Sequence, residues 1–295
     1  STQYGPALPR PIPPVGIYWP ALKHKTAQIQ HGPKPQSHLR SGQAAILFYR
    51  AHYLAGNTAP IDALCQALQD WGVHPLPLFV SSLQDPAVQA ELAEHLMSAP
   101  AAVQVVLNTT SFAIAKLNQA QPRLTLWQQL DVPVLQVILS GGSVDQWRTS
   151  YQGLSPRDIA MNVALPEVDG RIITRAVSFK AVQQRHGDLE TDIIGYQPMG
   201  DRIQFVAELA SCWVNLSQTP PSQRKIALIL ANYPTRDARL ANGVGLDTPQ
   251  SIVEILRALA TAGYHGTAIP KDGDDLIQQL TQTVTNDLDN NSLRS

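Results

Sequence analysis

Apolar residues along the chain fall into short β-prone runs that alternate with segments of helical period. QAAILFY (43–49) is one such run, followed by the polar loop RAHYLAGNTAP. Ile61, Leu64, Cys65 and Leu68 then recur on one face of a helix, with Thr58 as N-cap, Pro60 in the first turn and Gly72 at the stop. HPLPLFV returns as a strand, completing a β-loop-α-β unit. AVQVVLN and VPVLQVIL supply two further strands, separated by a helix-like segment, and Ile203, Val206, Leu209, Ala210 and Trp213 mark a helix over 200–216.

The pattern recurs after the linker QTPPSQ. KIALILA predicts a strand and NYPTRDARLANGVGLD a polar loop. Thr248 and Pro249 begin a helix carrying Ile252, Ile255, Leu256 and Leu259, which Gly263 ends. Two α/β units in series follow from this alternation. The expectation is a Rossmann-like or flavodoxin-like parallel-sheet domain over 43–218 and the start of a second, similar unit over 219–295. An extended Pro-rich arm over 1–42 precedes them, with one short strand at Val15–Tyr18. Residues 219–295 hold too few strands for a doubly wound sheet, and no Met begins the chain. Both favour a piece of a longer protein; the alternative is that the tail packs back onto the first sheet.

Composition narrows the classes. Of 295 residues, 44% are apolar and 15% charged, as in an ordinary globular protein. A formal net charge of -1 argues against general nucleic-acid affinity. No apolar run is long enough to span a membrane, and STQYGPALPRPIPPVG lacks the pattern of a signal peptide. Cys65 and Cys212 both sit in helix-period segments and read as buried, reduced thiols, which points to the cytoplasm. No CxxC or HExxH occurs, so a preformed zinc site is not expected. Neither does GxxxxGK[ST], so any nucleotide-driven step falls to a partner.

In open α/β sheets, functional groups gather past the carboxyl ends of strands. Three stretches lie there. RAHYLAGNTAP offers Arg50, His52 and Asn57; His52 is either a solvated side chain or a base or metal ligand working near pH 7. NYPTRDARLANGVGLDTP places Gly243 and Gly245 before a helix, with Arg236 and Arg239 nearby, as an anion site or a flexible loop. In GLSPRDIAMNVALPEVDGRI, Ser155 caps a short helix from Pro156 with Ile159 and Val163 on one face, and ALPEVDG forms its exit. Asp169-Gly170 reads as a turn pair; Glu167, following a proline, reads less simply so.

Together ILFYRAHYLAGNTAPIDAL, GLSPRDIAMNVALPEVDGRI with RAVSFK, and PTRDARLANGVGLDTPQS resemble the large subunit of aerobic cobaltochelatase, the CobN family. The resemblance runs from about residue 15 to the end of the chain. The large (H) subunit of magnesium chelatase shares a thinner version, including Arg-x-His and ALPE-x-DG. Members of the family are far longer, which again implies an N-terminal-side fragment. The resemblance implies insertion of Co2+ into hydrogenobyrinic acid a,c-diamide in cobalamin biosynthesis, with separate AAA+ ATPase subunits supplying energy. Mg2+ insertion into protoporphyrin IX, or a non-catalytic scaffold that docks the ATPase, are the alternatives. Metal insertion needs a base for the ring N–H protons, weak imidazole or carboxylate metal ligands, and cations for peripheral carboxylates. His52, Glu167 and Asp169 are the candidate catalytic groups, with His52 and Glu167 as metal ligands. Arg50, Asn57, Arg157, Arg171 and Arg236 are the candidate tetrapyrrole contacts.

Overall fold

The computed structural model describes residues 11–20, 42–99, 101–115, 125–188, 190–231, 241, 243, 245–266 and 268–282. Two compact units result, Ser1–Gln218 and Thr219–Ser295.

The first unit is built around β2 (Gly42–Tyr49), whose central six residues are buried. A strand flanked on both sides by parallel neighbours and covered on both faces must be apolar throughout, and AAILF meets that demand. In chain order the elements begin with β1 (Val15–Ile17), β2, α1 (Arg50–Leu54), α2 (Ala59–Asp70), β3 (Val73–Val80) and α3 (Pro86–Met97). There follow β4 (Val103–Asn108), α4 (Thr125–Leu130), β5 (Val134–Leu139), α5 (Val144–Thr149), α6 (Pro156–Ile159) and α7 (Leu165–Val168). The unit closes with β6 (Ile172–His186), β7 (Thr191–Pro198) and α8 (Gly200–Ser217). The sheet order is β1-β3-β2-β4-β5-β6-β7. Strands β3, β2, β4, β5 and β6 are mutually parallel, while β1 and β7 are antiparallel edges. Counting the parallel strands alone gives the flavodoxin-like order 2-1-3-4-5.

Helices α2 and α8 cover one face through Ile61, Leu64, Leu68, Ile203, Val206 and Ala210. The other face carries α3 and α4 through Val88, Leu92, Leu96 and Leu126. A third cluster sets α5 over Ile138, Ala176 and Phe179. Pro75 and Pro77 are tolerated in β3 because β1 pairs only with Leu78–Val80, leaving the proline positions on an open edge.

Several sequence expectations change. The stretch after β2 is not simply a loop, because its first residues form α1. Thr58 occupies the N-cap position of α2 without a side-chain cap; its hydroxyl instead meets Tyr18 and Asp62. Cys65 is buried, and burial followed by the Asp62 charge pushes its thiol up to about 12, but Cys212 is exposed. Ser155 does cap α6, accepting from Asp158 N–H, yet the helix does not exit at ALPEVDG. It runs on through a π-turn (Ala160–Ala164) into α7. Pro166 lacks an N–H and its ring would crowd the carbonyl one turn back, and the wider turn just ahead of it provides room. The buried face carries Asp158, Asn162 and Pro166, while Ile159 is 42% exposed. Helix α3 and the β6–β7 hairpin have no counterpart among the sequence expectations.

In the second unit, α9 (Thr248–Thr261), capped by Asp247, packs on α10 (Gly273–Thr281). The strand expected at KIALILA is not formed: residues 225–231 enter no ladder among the described residues, and Ile229 is 92% exposed. Strand propensity needs a neighbour to pair with.

Gly72 ends α2 with φ 75°, a conformation that costs a residue with a Cβ about 1–2 kcal/mol. Gly72→Ala should lower the unfolding free energy by about that amount, and Gly72→Asn by less, as read from urea midpoints at constant m-value.

Candidate functional site

Where neighbouring connections leave a sheet in opposite directions, the carboxyl ends of two strands part and form a crevice. In this sheet that point lies between β2 and β4. Tyr49, the last residue of β2, closes the gap: its hydroxyl donates to Ser111 O and accepts from Ser111 N, both at 3.1 Å. Burial raises the Tyr49 pKa, so the phenol stays protonated and able to donate. Beside it a small cavity of about 220 Å3 is lined by Ser82, Gln84, Ser111 and Phe112. Phe112 stands at φ 68° with its ring 41% exposed, an unusual backbone for a bulky residue.

The loop that carries Phe112 is held from beneath by buried polar groups. Asp169 accepts from the backbone N–H of Ile114 (2.8 Å) and Ala115 (3.0 Å) and pairs with Arg171 at 2.6 Å, both side chains fully buried. Arg171 donates onward to Gln136 Oε1 (3.0 Å) and Phe112 O (3.0 Å), and lies over the Trp127 ring. Gln136 in turn receives Asn108 Nδ2 at 2.8 Å and donates to Thr110 O. Burial pulls the Arg171 guanidinium down, and Asp169 pushes it back up. Asp169-Gly170 is a turn in its backbone, as its dipeptide suggests, with Gly170 at φ 72°. Its carboxylate, however, works as the anchor of the β4 loop. With zero side-chain exposure, Asp169 and Arg171 stand away from any solvent-borne ligand, which corrects the expectation that they touch one.

A second buried set locks the α6–α7 helix onto the same edge. Ser140 Oγ and Gly141 N–H donate to Asp158, and Ser111 Oγ donates to Asn162 at 2.6 Å. Phe112 N–H reaches Met161 O in the π-turn. Asn108, Thr110, Gln136, Asp158 and Asn162 were not singled out from the sequence. The available signal was an amide embedded in an otherwise apolar strand: Gln136 in VLQVIL and Asn108 closing VQVVLN.

The remaining candidates divide by position. His52, in α1, is half-buried; its ring meets Tyr196 edge-on at 5.3 Å and lies 6.3 Å from Tyr49. Burial, and after it the Lys180 charge, hold the imidazole below its ordinary 6.5, so it is neutral at pH 7. Asn57 joins this cluster by accepting from Tyr196 N–H at 2.9 Å. Arg50 is spent on the N-terminal arm, donating to Ile12 O and Pro13 O. Glu167 and Arg157 are exposed on the α6–α7 helix. Arg236 and Arg239 lie outside the described residues. Among the described residues no three His, Cys, Asp or Glu side chains converge as a metal site. The structure therefore joins His52 with Asn57, and Asp169 with Arg171, while Glu167 and Arg157 share only a helix.

The CobN/Magnesium Chelatase family matches residues 1–295. The aerobic cobaltochelatase subunit CobN of a Sinorhizobium species is 44% identical over 96% of this chain, which spans 22% of that relative. The large (H) subunit of magnesium chelatase from Rhodobacter capsulatus is 26% identical over 94% of the chain and is spanned to 24%. Among solved structures, the catalytic subunit of cobaltochelatase from Mycobacterium tuberculosis superposes with a TM-score of 0.73 at 32% identity. That match covers 95% of this chain and 22% of the other.

Two outcomes follow from the geometry. Asp169→Ala strands a buried guanidinium and two backbone donors, and should cost about 3–5 kcal/mol. The double variant Asp169→Ala/Arg171→Met should cost less than the two single changes summed, in a urea-unfolding cycle. His52 loses affinity for its proton on folding, so its contribution is complete above 6.5 and declines as pH falls through that value toward the depressed folded one. Urea midpoints at about pH 7.5 and about pH 5.5 should therefore converge in His52→Gln relative to the unaltered chain.

Proposed function

The chain belongs to the CobN/Magnesium Chelatase family, and from that premise we propose that it is part of the tetrapyrrole-binding large subunit of an ATP-dependent cobaltochelatase. The whole enzyme inserts Co2+ into hydrogenobyrinic acid a,c-diamide, a corrinoid of the cobalamin pathway. Identity of 44% to a CobN subunit against 26% to the large subunit of a magnesium chelatase favours cobalt over magnesium. ATP is used by separate AAA+ subunits, and the enzyme works in the cytoplasm. No helix among the described residues is long and apolar enough to cross a membrane.

The observation that carries the reading is His52. A divalent ion enters the macrocycle as two ring N–H protons leave, so a base must stand ready in its neutral form. An imidazole packed on Tyr196 and kept unprotonated at pH 7 is suited to accept those protons one at a time and pass them to water. The same neutral nitrogen is a ligand of the right hardness to hold incoming Co2+ briefly. Exposed Glu167 is available as a second oxygen ligand, and exposed Arg157 as a partner for a peripheral carboxylate. Residues 219–295 are read as the beginning of a second α/β unit.

Absorbance titration of the chain with hydrogenobyrinic acid a,c-diamide should show saturable binding; its absence would favour a scaffold that docks the ATPase. In the full-length subunit assembled with its ATPase partners, His52→Gln should lower the cobalt-insertion rate by about 100-fold or more and leave tetrapyrrole binding nearly unchanged. The unaltered enzyme should lose rate as pH falls below 6.5, and the variant should lack that limb.

A further inference from the structure

Strands β6 and β7 pair from Ser178↔Pro198 out to His186↔Thr191, well past the last contact of β6 with β5 at Ser178. The hairpin thus projects from the sheet, and between it and α5 lies a groove of about 760 Å3. That is within the range of about 300–1,000 Å3 usual for small-molecule sites. Val182 and Ile194, directly paired across the hairpin, line it together with Val144, and each of the pair is 58% exposed. Exposed Arg148 and Lys180 also line it, along with one acid, Asp145. Neither cation forms an ion pair among the described residues.

The chemistry of this lining is selective. Aliphatic side chains without aromatic neighbours offer a dry surface to a flat apolar face, while two unpaired cations favour carboxylates at its edge. A hydrophilic polyanion would leave the aliphatic pair unused, and a neutral apolar ligand would leave the cations unused. Position adds a second argument. Lys180 stands opposite Tyr196 in the β6–β7 ladder, and the Tyr196 ring is the one that meets His52 at 5.3 Å. Cross-strand partners share a face of the sheet, so the hairpin joins the groove to the His52 cluster.

We propose that the groove between α5 and the β6–β7 hairpin seats one edge of the tetrapyrrole, with Val182 and Ile194 against the ring and Arg148 and Lys180 receiving peripheral carboxylates. The inference rests on the chelatase reading above, for which the groove supplies the substrate's place. Ring N–H groups extending from such a seat lie toward the His52 side of the hairpin.

The test is an absorbance titration of this chain with hydrogenobyrinic acid a,c-diamide at two salt concentrations. The variants are Arg148→Glu, Lys180→Glu, Val182→Asp and, as a charge-matched control in the second unit, Lys225→Glu. Urea midpoints confirm that each variant is folded. Each groove variant should weaken binding by about tenfold or more, the charge variants should flatten the salt dependence, and Lys225→Glu should bind as the unaltered chain does. Binding within about twofold in all groove variants, or equal weakening by Lys225→Glu, overturns the groove as the site while leaving the chelatase reading intact. No binding by the unaltered chain overturns both.

Discussion

Burying an ion pair costs several kcal/mol per ion in lost hydration, recovered only when every remaining valence is met. Arg171 and Asp169 meet that condition by reaching outward: to the backbone of Phe112, Ile114 and Ala115, and to Gln136 in the middle of β5. The pair is therefore a junction between the β4 loop, the β5 strand and the entry to β6. Everything at the carboxyl edge of the sheet is placed relative to it. The strained Phe112 backbone persists because donors and acceptors on both sides of it are tied down. Through Ser111 and Asn162 the same loop positions the π-turn helix, and through Ser111 and Tyr49 it sets the end of β2.

With the edge rigid, the groups that remain free become conspicuous. His52 sits where β2 gives way to α1, braced by Tyr196 from the last strand of the sheet, so residues about 140 positions apart define one imidazole environment. Its neutrality is a consequence of packing: burial removes water from the imidazolium, and Lys180 adds repulsion. The edge therefore divides into a fixed polar frame and a half-buried base with a groove beside it. That division suits a reaction in which a large ring is held still while protons and a metal ion exchange at its centre.

Much of the first unit was legible in the chain. Runs such as AAILF and VLQVIL announce strands buried on both faces, and the face Ile61, Leu64, Cys65, Leu68 announces a helix, because burial imposes those periods locally. The helix over 200–216 packs through Ile203, Val206 and Ala210, as its spacing suggests. The candidate site was legible only in part. His52 and Asn57 belong together in space as they do in sequence, but Asp169 and Arg171 proved to be frame, since a carboxylate's partners are not written beside it. KIALILA has the composition of a strand and forms none among the described residues, because a strand is a property of a pair.

By itself the sequence determined which segments are strand or helix in the first sheet, where α2 ends, and which stretches lie at strand carboxyl ends. These depend on side-chain period and on the φ range of glycine and proline, which act over a few residues. Only the tertiary structure decided that the α6–α7 helix buries Asp158 and Asn162 instead of Ile159. It alone decided that Asp169 is inaccessible, and that His52 shares a hairpin with the groove beside α5. These depend on desolvation and on partners far away in the chain, from Ser140 beside Asp158 to Tyr196 beside Asn57. The free energy of a buried polar group is set by what surrounds it.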